Sequence, residues 1–125
     1  MPKKIKTKNF LLGIILLILF PKLSLALTNI SSCSVLDKEG ETYILTADII
    51  DSSTSYCINI QANNIILDCQ NHIIDGNDNA DYGIYIYRSS QQTTNITIKN
   101  CIVSDWDEAN IYLYKADGNT LSLIH

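Results

Sequence analysis

The chain has 125 residues and a formal net charge of −4, but its charges are unevenly distributed. Residues 27–125 hold four basic and thirteen acidic side chains, a net charge of −9. A segment this acidic, with no basic cluster, is repelled by phosphate backbones, so binding to DNA or RNA is not expected. The length allows one small domain.

The first 26 residues have the layout of a secretory signal peptide. Residues 1–9 are basic, residues 10–20 form an eleven-residue apolar run, and Ser24-Leu25-Ala26 offers small residues at −3 and −1. Eleven helical residues rise about 16 Å, half of the roughly 30 Å hydrocarbon core of a bilayer. The pattern therefore predicts cleavage after Ala26 and export of the chain. An uncleaved leader would be its only contact with a membrane.

Residues 27–55 are interpreted as an N-terminal cap region of strands ahead of the repeats. This region contains the sequon Asn29-Ile30-Ser31, and a second sequon, Asn95-Ile96-Thr97, lies further along the chain. Asn29 and Asn95 are therefore candidate glycosylation sites of an exported protein.

All four cysteines lie beyond the predicted cleavage site, where an oxidising compartment favours disulfides. Four cysteines allow three pairings. We favour Cys33 with Cys57, which closes a loop of about 24 residues worth about 3 kcal/mol in the chain-entropy model. The remaining pair is Cys69 with Cys101. Buried free thiols are the alternative for both pairs.

Two series of alternating segments recur along residues 56–125. The first comprises residues 57–61, 83–88 and 110–115, at offsets of 26 and 27. The second comprises residues 64–68, 95–99 and 120–123, at offsets of 31 and 25. Self-similarity at this period is typical of a solenoid, whose units bury their apolar faces by stacking. Alternation of β-branched residues with period 2 makes the units strands and not helices.

These observations predict an all-β fold, a parallel β-helix with coils over residues 56–125. Asn95, Asn100 and Asn110 are expected at the tight turns between sheets. Residues 121–125 end within a strand, so further coils or self-association are expected at this edge. Alternate side chains should point into the coil, and the predicted inward set is Ile84, Ile86, Ile96, Ile98, Ile111, Leu113, Leu121 and Leu123.

Five segments carry a family likeness: residues 40–49 (GETYILTADI), 64–69 (NIILDC), 72–76 (HIIDG), 82–86 (YGIYI) and 95–101 (NITIKNC). Over residues 40 to about 120 the chain resembles the right-handed parallel β-helix families of secreted and periplasmic proteins, NosD-like and pectate-lyase-like. The resemblance implies a right-handed β-helix of about three coils after the signal-peptide helix. These families include enzymes, accessory factors and surface modules, so the resemblance does not identify an activity.

Four tyrosines are candidate glycan-contacting residues. In-register stacking at offset 27 places Tyr85 beside Tyr112 and Tyr87 beside Tyr114, all outward, at a strand spacing of about 4.8 Å. Sugars stack their apolar faces on such rings. The alternative is that tyrosine simply suits an exposed strand.

One polar segment resembles a calcium loop. It places oxygen side chains at alternate positions, but it lacks the glycine and the glutamate that an EF-hand needs at its sixth and twelfth positions. A polar turn between coils is the alternative. The candidate ligands are Asp75, Asn77, Asn79 and Asp81.

No catalytic residue and no cofactor are predicted. His72 reads as a turn or surface residue, and Asp105 and Asp107 have no histidine or arginine beside them. The sequence contains no nucleophile set and no phosphate-binding glycine loop.

We therefore expect a secreted, extracellular or cell-surface module that is structural or carbohydrate-contacting and not an enzyme on its own. The expected partners are polysaccharides or other surface glycans. The periplasm is the alternative location. One alternative is the N-terminal coils of a polysaccharide lyase or glycoside hydrolase whose catalytic residues lie beyond residue 125. A second alternative is a periplasmic metallocofactor accessory protein.

Overall fold

The computed structural model describes residues 26–89 and 91–125, so the predicted signal peptide lies outside the described residues except for Ala26. The regular elements within this part are strands, and it contains no helix that could cross a membrane. The strands are β1 (Leu27–Ile30), β2 (Ser34–Leu36), β3 (Thr42–Leu45), β4 (Ile49–Ser52), β5 (Tyr56–Ile60), β6 (Ile66–Asp68), β7 (Ile73–Gly76), β8 (Tyr82–Ile86), β9 (Thr93–Thr94), β10 (Thr97–Ser104), β11 (Ala109–Leu113), β12 (Ala116–Asp117) and β13 (Thr120–Ile124).

The strands pair in parallel between successive repeats of the chain. One sheet has the order β2-β5-β8-β11. A larger sheet has the order β1-β3-β6-β10-β7-β4, with β13 also paired to β10, and β9 pairs with β12. Parallel neighbours require a crossover connection, which here consists of further strands and turns. The predicted all-β fold is confirmed, with parallel sheets.

Asparagines in the left-handed conformation turn the chain between sheets. Asn64, Asn95 and Asn100 have φ angles of 58°, 60° and 57°, a region that asparagine tolerates better than most residues. The Asn95 side-chain amide donates to Oδ1 of Asn64 at 2.9 Å, so the corners of successive repeats are hydrogen-bonded. Turns at Asn95 and Asn100 are thus confirmed. Asn100 makes its turn within β10, whereas the turn predicted at Asn110 is wrong, because Asn110 lacks a left-handed φ and lies in β11 between residues 109 and 111, which both pair with β8.

Apolar residues stack in ladders across the paired strands and form the core. Leu36, Ile60 and Ile86 lie opposite one another in β2, β5 and β8, and each is fully buried. Tyr43 and Leu67 form a second ladder with Ile98. The cap region 27–55 therefore contributes to the same core as residues 56–125.

In the last strands, β11 and β13, residues at predicted inward positions are more exposed than a core residue would be. Leu113 lies opposite Ile86, and Leu121 lies opposite Ile98, so both take inward positions. They are nevertheless 38% and 48% exposed, because no strand of the described residues packs over β11 and β13. Ile111 is half-buried for the same reason.

Leu123 does not point inward, and its predicted place was wrong. The pairing of Thr97 with Thr120 gives an offset of 23 in place of 25, so Leu123 falls opposite Asn100 at the turn. It adopts a φ of 53° and is 68% exposed. The following residue, Ile124, lies opposite the buried Cys101 and packs against the core.

Both favoured disulfides are present. Cys33–Cys57 joins the segment before β2 to β5, with Cα atoms 4.4 Å apart. Cys69–Cys101 has a Cα separation of 4.9 Å, and both of its residues are fully buried. Each bond links neighbouring repeats, so the free-thiol alternative is wrong. Two disulfides favour an oxidising compartment outside the cytoplasm.

Candidate functional site

The sheet β2-β5-β8-β11 carries tyrosines on its outer surface because of how β8 alternates. Ile84 and Ile86 are fully buried, which leaves Tyr85 outward between them. Gly83 is also buried, so Tyr82 on its other side stays half-exposed. Because Gly83 and Ile84 are both buried, the outward tyrosines of β8, Tyr82 and Tyr85, are three positions apart.

Six tyrosine rings form a continuous array, named here the tyrosine face. The rings of Tyr85 and Tyr112 lie 5.4 Å apart at an interplanar angle of 10°, and those of Tyr87 and Tyr114 also lie 5.4 Å apart. The predicted neighbours are thus confirmed. Centroid separations within the array run from 4.7 to 6.4 Å, the range of favourable aromatic pairs. The face consists of Tyr56, Tyr82, Tyr85, Tyr87, Tyr112 and Tyr114.

Tyr56 and Tyr82 are the members that the sequence reasoning missed. They are register partners at an offset of 26, and their rings stack at 5.6 Å. Tyr82 also lies 5.0 Å from Tyr112. The signal was present, because each of these tyrosines directly precedes a segment of the first repeat series. The seventh tyrosine, Tyr43, is buried in the core.

Two phenols at the centre of the face, Tyr82 and Tyr85, are held more firmly in their neutral form. Partial burial raises the pKa of Tyr82, and the nearby Glu108 carboxylate raises it further. Partial burial likewise raises the pKa of Tyr85, with contributions from neighbouring tyrosines. At neutral pH the face therefore presents aromatic surface together with hydroxyls that can donate hydrogen bonds.

An open cleft of about 420 Å³ lies at the carboxyl end of the tyrosine sheet, lined by Gln61, Tyr87, Arg88 and Ser89. The connection there is longer than in neighbouring repeats. From the strand partners, Ile86 to Thr97 spans eleven residue steps, against six from Ile60 to Ile66. Insertions in repeat proteins frequently form part of a binding surface.

A carboxyl pair lies on the other large sheet. Asp75 accepts hydrogen bonds from the Ser104 hydroxyl at 2.8 Å and the Asp51 amide at 3.2 Å. The Ser104 hydroxyl is the main cause that lowers the pKa of Asp75. A hydrogen bond to Asp75, partial burial and the charges of Asp75 and Asp78 raise the pKa of Asp105. Sequence reasoning missed this pair, because Asp75 is on β7 and Asp105 follows β10.

We expect Asp105→Asn to raise the melting temperature at neutral pH. Since the folded pKa of Asp105 is raised, its stabilising contribution is present below the unfolded pKa of about 4 and is lost as pH rises through the folded pKa. The gain over wild type should therefore shrink on acidification. Thermal unfolding followed by circular dichroism between neutral and acidic pH measures this difference.

Asp107→Asn is the matched control, since it removes one negative charge two residues away from Asp105. An equal gain in both variants would show that general charge relief, and not the pairing with Asp75, is responsible.

The candidate calcium ligands make internal contacts. Oδ1 of Asn77 accepts from the backbone amides of Asn79 and Ala80 at 3.1 and 3.0 Å, as a polar turn does. Asp75 accepts hydrogen bonds from the Ser104 hydroxyl and the Asp51 amide. Within residues 26–89 and 91–125, no three His, Cys, Asp or Glu side chains converge as a metal-binding group. The calcium site stays a prediction.

The remaining sequence-derived sites are placed as follows. Asn29 is exposed on β1, whereas the Asn95 side-chain amide is engaged with Asn64. Glycosylation stays a prediction, with Asn29 the more accessible acceptor. His72 is hydrogen-bonded to Asp48 at 2.9 Å. The pKa of Asp48 is lowered mainly by the hydrogen bond from the Ile73 amide, and the hydrogen bond with His72 lowers it further.

In comparisons with known proteins, the chain matches no family model, no curated protein and no solved structure.

Proposed function

We propose that the protein is a secreted or cell-surface module built as a right-handed parallel β-helix. Three features support this proposal: parallel pairing between successive repeats, left-handed asparagine corners, and apolar ladders through the interior. Two disulfides between neighbouring repeats suit the oxidising surroundings of an exported chain.

We propose that the tyrosine face contacts glycans. The observation that carries this function is the contiguity of six rings, of which Tyr56 and Tyr114 are 44% and 43% exposed. The C–H groups of a sugar face are weakly positive and meet the negative face of an aromatic ring favourably, while phenol hydroxyls can bond sugar hydroxyls. Nucleic-acid bases also stack on aromatic rings, but the net charge of −9 over residues 27–125 opposes a phosphate backbone.

The double variant Tyr85→Ala/Tyr112→Ala tests the glycan function. Each lost ring contact should cost about 0.5–1.5 kcal/mol, so retention of a bound polysaccharide should weaken roughly 5- to 150-fold. Affinity electrophoresis through native gels containing neutral and acidic polysaccharides measures the effect. Tyr85→Phe/Tyr112→Phe keeps the rings and should retain most of the binding.

Ile50→Ala is the matched control, because Ile50 is an exposed apolar side chain at 60% exposure outside the tyrosine face. It should leave retention unchanged. If no polysaccharide in the panel retards the wild-type protein, or if the alanine pair binds as well as wild type, the glycan function is wrong.

The carboxyl pair Asp75–Asp105 favours a second candidate, part of a carbohydrate-active enzyme. Two neighbouring carboxyl groups whose pKa values are shifted in opposite directions are one arrangement that supports acid–base chemistry. The pair is on a different sheet from the tyrosine face. Release of oligosaccharides from the same polysaccharides, lost in Asp75→Asn/Asp105→Asn, would support this candidate over a non-catalytic module.

A further inference from the structure

Strands β8 and β11 each begin beside a carboxylate and end beside a cation. Asp81 precedes β8 and Arg88 follows it, while Glu108 precedes β11 and Lys115 follows it. Ala109 is the partner of Tyr82, and Leu113 is the partner of Ile86. Glu108 is therefore level with Asp81, and Lys115 with Arg88. The tyrosine face thus has an acidic end and a basic end.

None of these four charges has an opposite charge to pair with in the described part of the chain. The ion pair found in residues 26–89 and 91–125 is Lys99–Asp68, and the carboxylate of Asp48 is hydrogen-bonded to His72. Asp81 and Glu108 are close enough to the face to raise the pKa of Tyr82. The Lys115 ammonium lies 5.5 Å from the centre of the Tyr114 ring. The four side chains therefore border the aromatic surface with charges that are free to meet charges of opposite sign on a partner.

We propose that the tyrosine face docks against the same face of a second copy of this chain. The two-fold axis lies between the two faces and runs along the direction in which the strands stack. This symmetry reverses the strand direction, so the acidic end of one face meets the basic end of the other. Asp81 of one copy then lies against Arg88 of the other, and Glu108 against Lys115, each pair occurring twice.

The acidic and basic ends of the tyrosine face are complementary to each other, which favours a second copy of the chain as the partner of this face. The opposite choice of axis, along the strands, would place acid on acid and cation on cation, which is unfavourable. Tyrosine and arginine are enriched in protein interfaces, and the rim around an interface core is polar and solvent-accessible. Residues 27–125 of each copy carry a net charge of −9, so two copies repel each other at long range, and the arrangement that pairs these four charges offsets the repulsion.

Self-association does not depend on glycan binding, but the two use one surface. A bound glycan and a second copy therefore exclude each other, and the dimer is a form in which the face is covered. Dimerisation is measured without polysaccharide, so its failure and the failure of the glycan function give separate results.

Sedimentation velocity over a concentration series tests the proposal on the purified protein and three variants. Arg88→Glu/Lys115→Glu makes both ends acidic, and Asp81→Arg/Glu108→Arg makes both ends basic. Each double variant should raise the dissociation constant of the dimer by roughly 100-fold, because like charges then meet at every contact. An equimolar mixture of the two should form a heterodimer. The quadruple variant, which keeps the net charge, should dimerise like wild type.

Dimers of wild type that persist equally in both double variants would overturn the proposal and indicate association elsewhere, such as the edge at β11 and β13. A wild-type protein that stays monomeric at the highest concentration would overturn it too. Circular dichroism melting of each variant separates loss of pairing from loss of fold, and recovery in the mixture shows that both doubles are folded.

Discussion

Replacing Trp106 with alanine is expected to lower the free energy of unfolding by about 3–5 kcal/mol. The indole is 7% exposed, and its Nε1 donates to the carbonyl of Ile74 at 3.2 Å. The ring also fills the space over two glycines: a Cβ atom added at Gly76 or Gly83 would lie 2.8 or 2.7 Å from it. Alanine would leave a cavity that these glycines cannot fill. Urea unfolding followed by circular dichroism measures the loss.

Trp106→Phe is the control for this prediction. Phenylalanine restores most of the ring volume but cannot donate to the Ile74 carbonyl, so the expected loss is about 1–3 kcal/mol. Trp106 is the single tryptophan of the chain, so its fluorescence reports its surroundings directly. Emission typical of a water-exposed indole in the folded protein, or an unchanged urea midpoint for Trp106→Ala, would contradict the burial of this ring.

Removing either disulfide is expected to cost about 3–4 kcal/mol. The residues of the two bonds are 24 and 32 positions apart, and the chain-entropy model assigns similar values to loops of these sizes. Cys33→Ala/Cys57→Ala and Cys69→Ala/Cys101→Ala each open one loop. The second pair should lose slightly more, because both of its residues are fully buried. Urea midpoints of the two variants measure the cost.

Reduction of the wild-type protein should combine both losses, which together approach the total stability of a small domain of about 5–15 kcal/mol. The protein should therefore unfold at much lower urea in dithiothreitol than under oxidising conditions, consistent with an exported chain. If the reductant leaves the urea midpoint unchanged, the disulfides do not form in the purified protein. A free-thiol assay in denaturant decides that point independently.

Much of the fold was predictable because parallel strand pairing repeats the same local pattern along the chain. Alternation of apolar and polar residues identified strands, and offsets of 26 and 27 placed Tyr85 beside Tyr112 in the correct register. The alignment of residues 64–68 with residues 95–99 at offset 31 makes Asp68 the neighbour of Lys99, and Oδ2 of Asp68 lies 3.8 Å from Nζ of Lys99. These features depend on residues that are close in the repeat, so the sequence alone contains the information.

Errors arose where the length of a turn decides the register. The alignment of residues 120–123 at offset 25 preserved the alternation of apolar and polar residues, but the strand partners in the structure have an offset of 23. A shift of two residues keeps the same face inward, so the pattern cannot distinguish the two registers. Backbone closure distinguishes them, and it places Leu123 at a left-handed corner that Asn100 occupies in the preceding repeat.

The sequence by itself determined the strand type, the disulfide candidates, the acidity of residues 27–125 and four members of the tyrosine face, because each follows from residue type and spacing. Only the tertiary structure decided which residues meet across unequal connections. It brought Asp105 to Asp75 and seated Trp106 over Gly76 and Gly83. The physical reason is that these contacts depend on how each turn redirects the chain, which the periodicity of the strands does not specify.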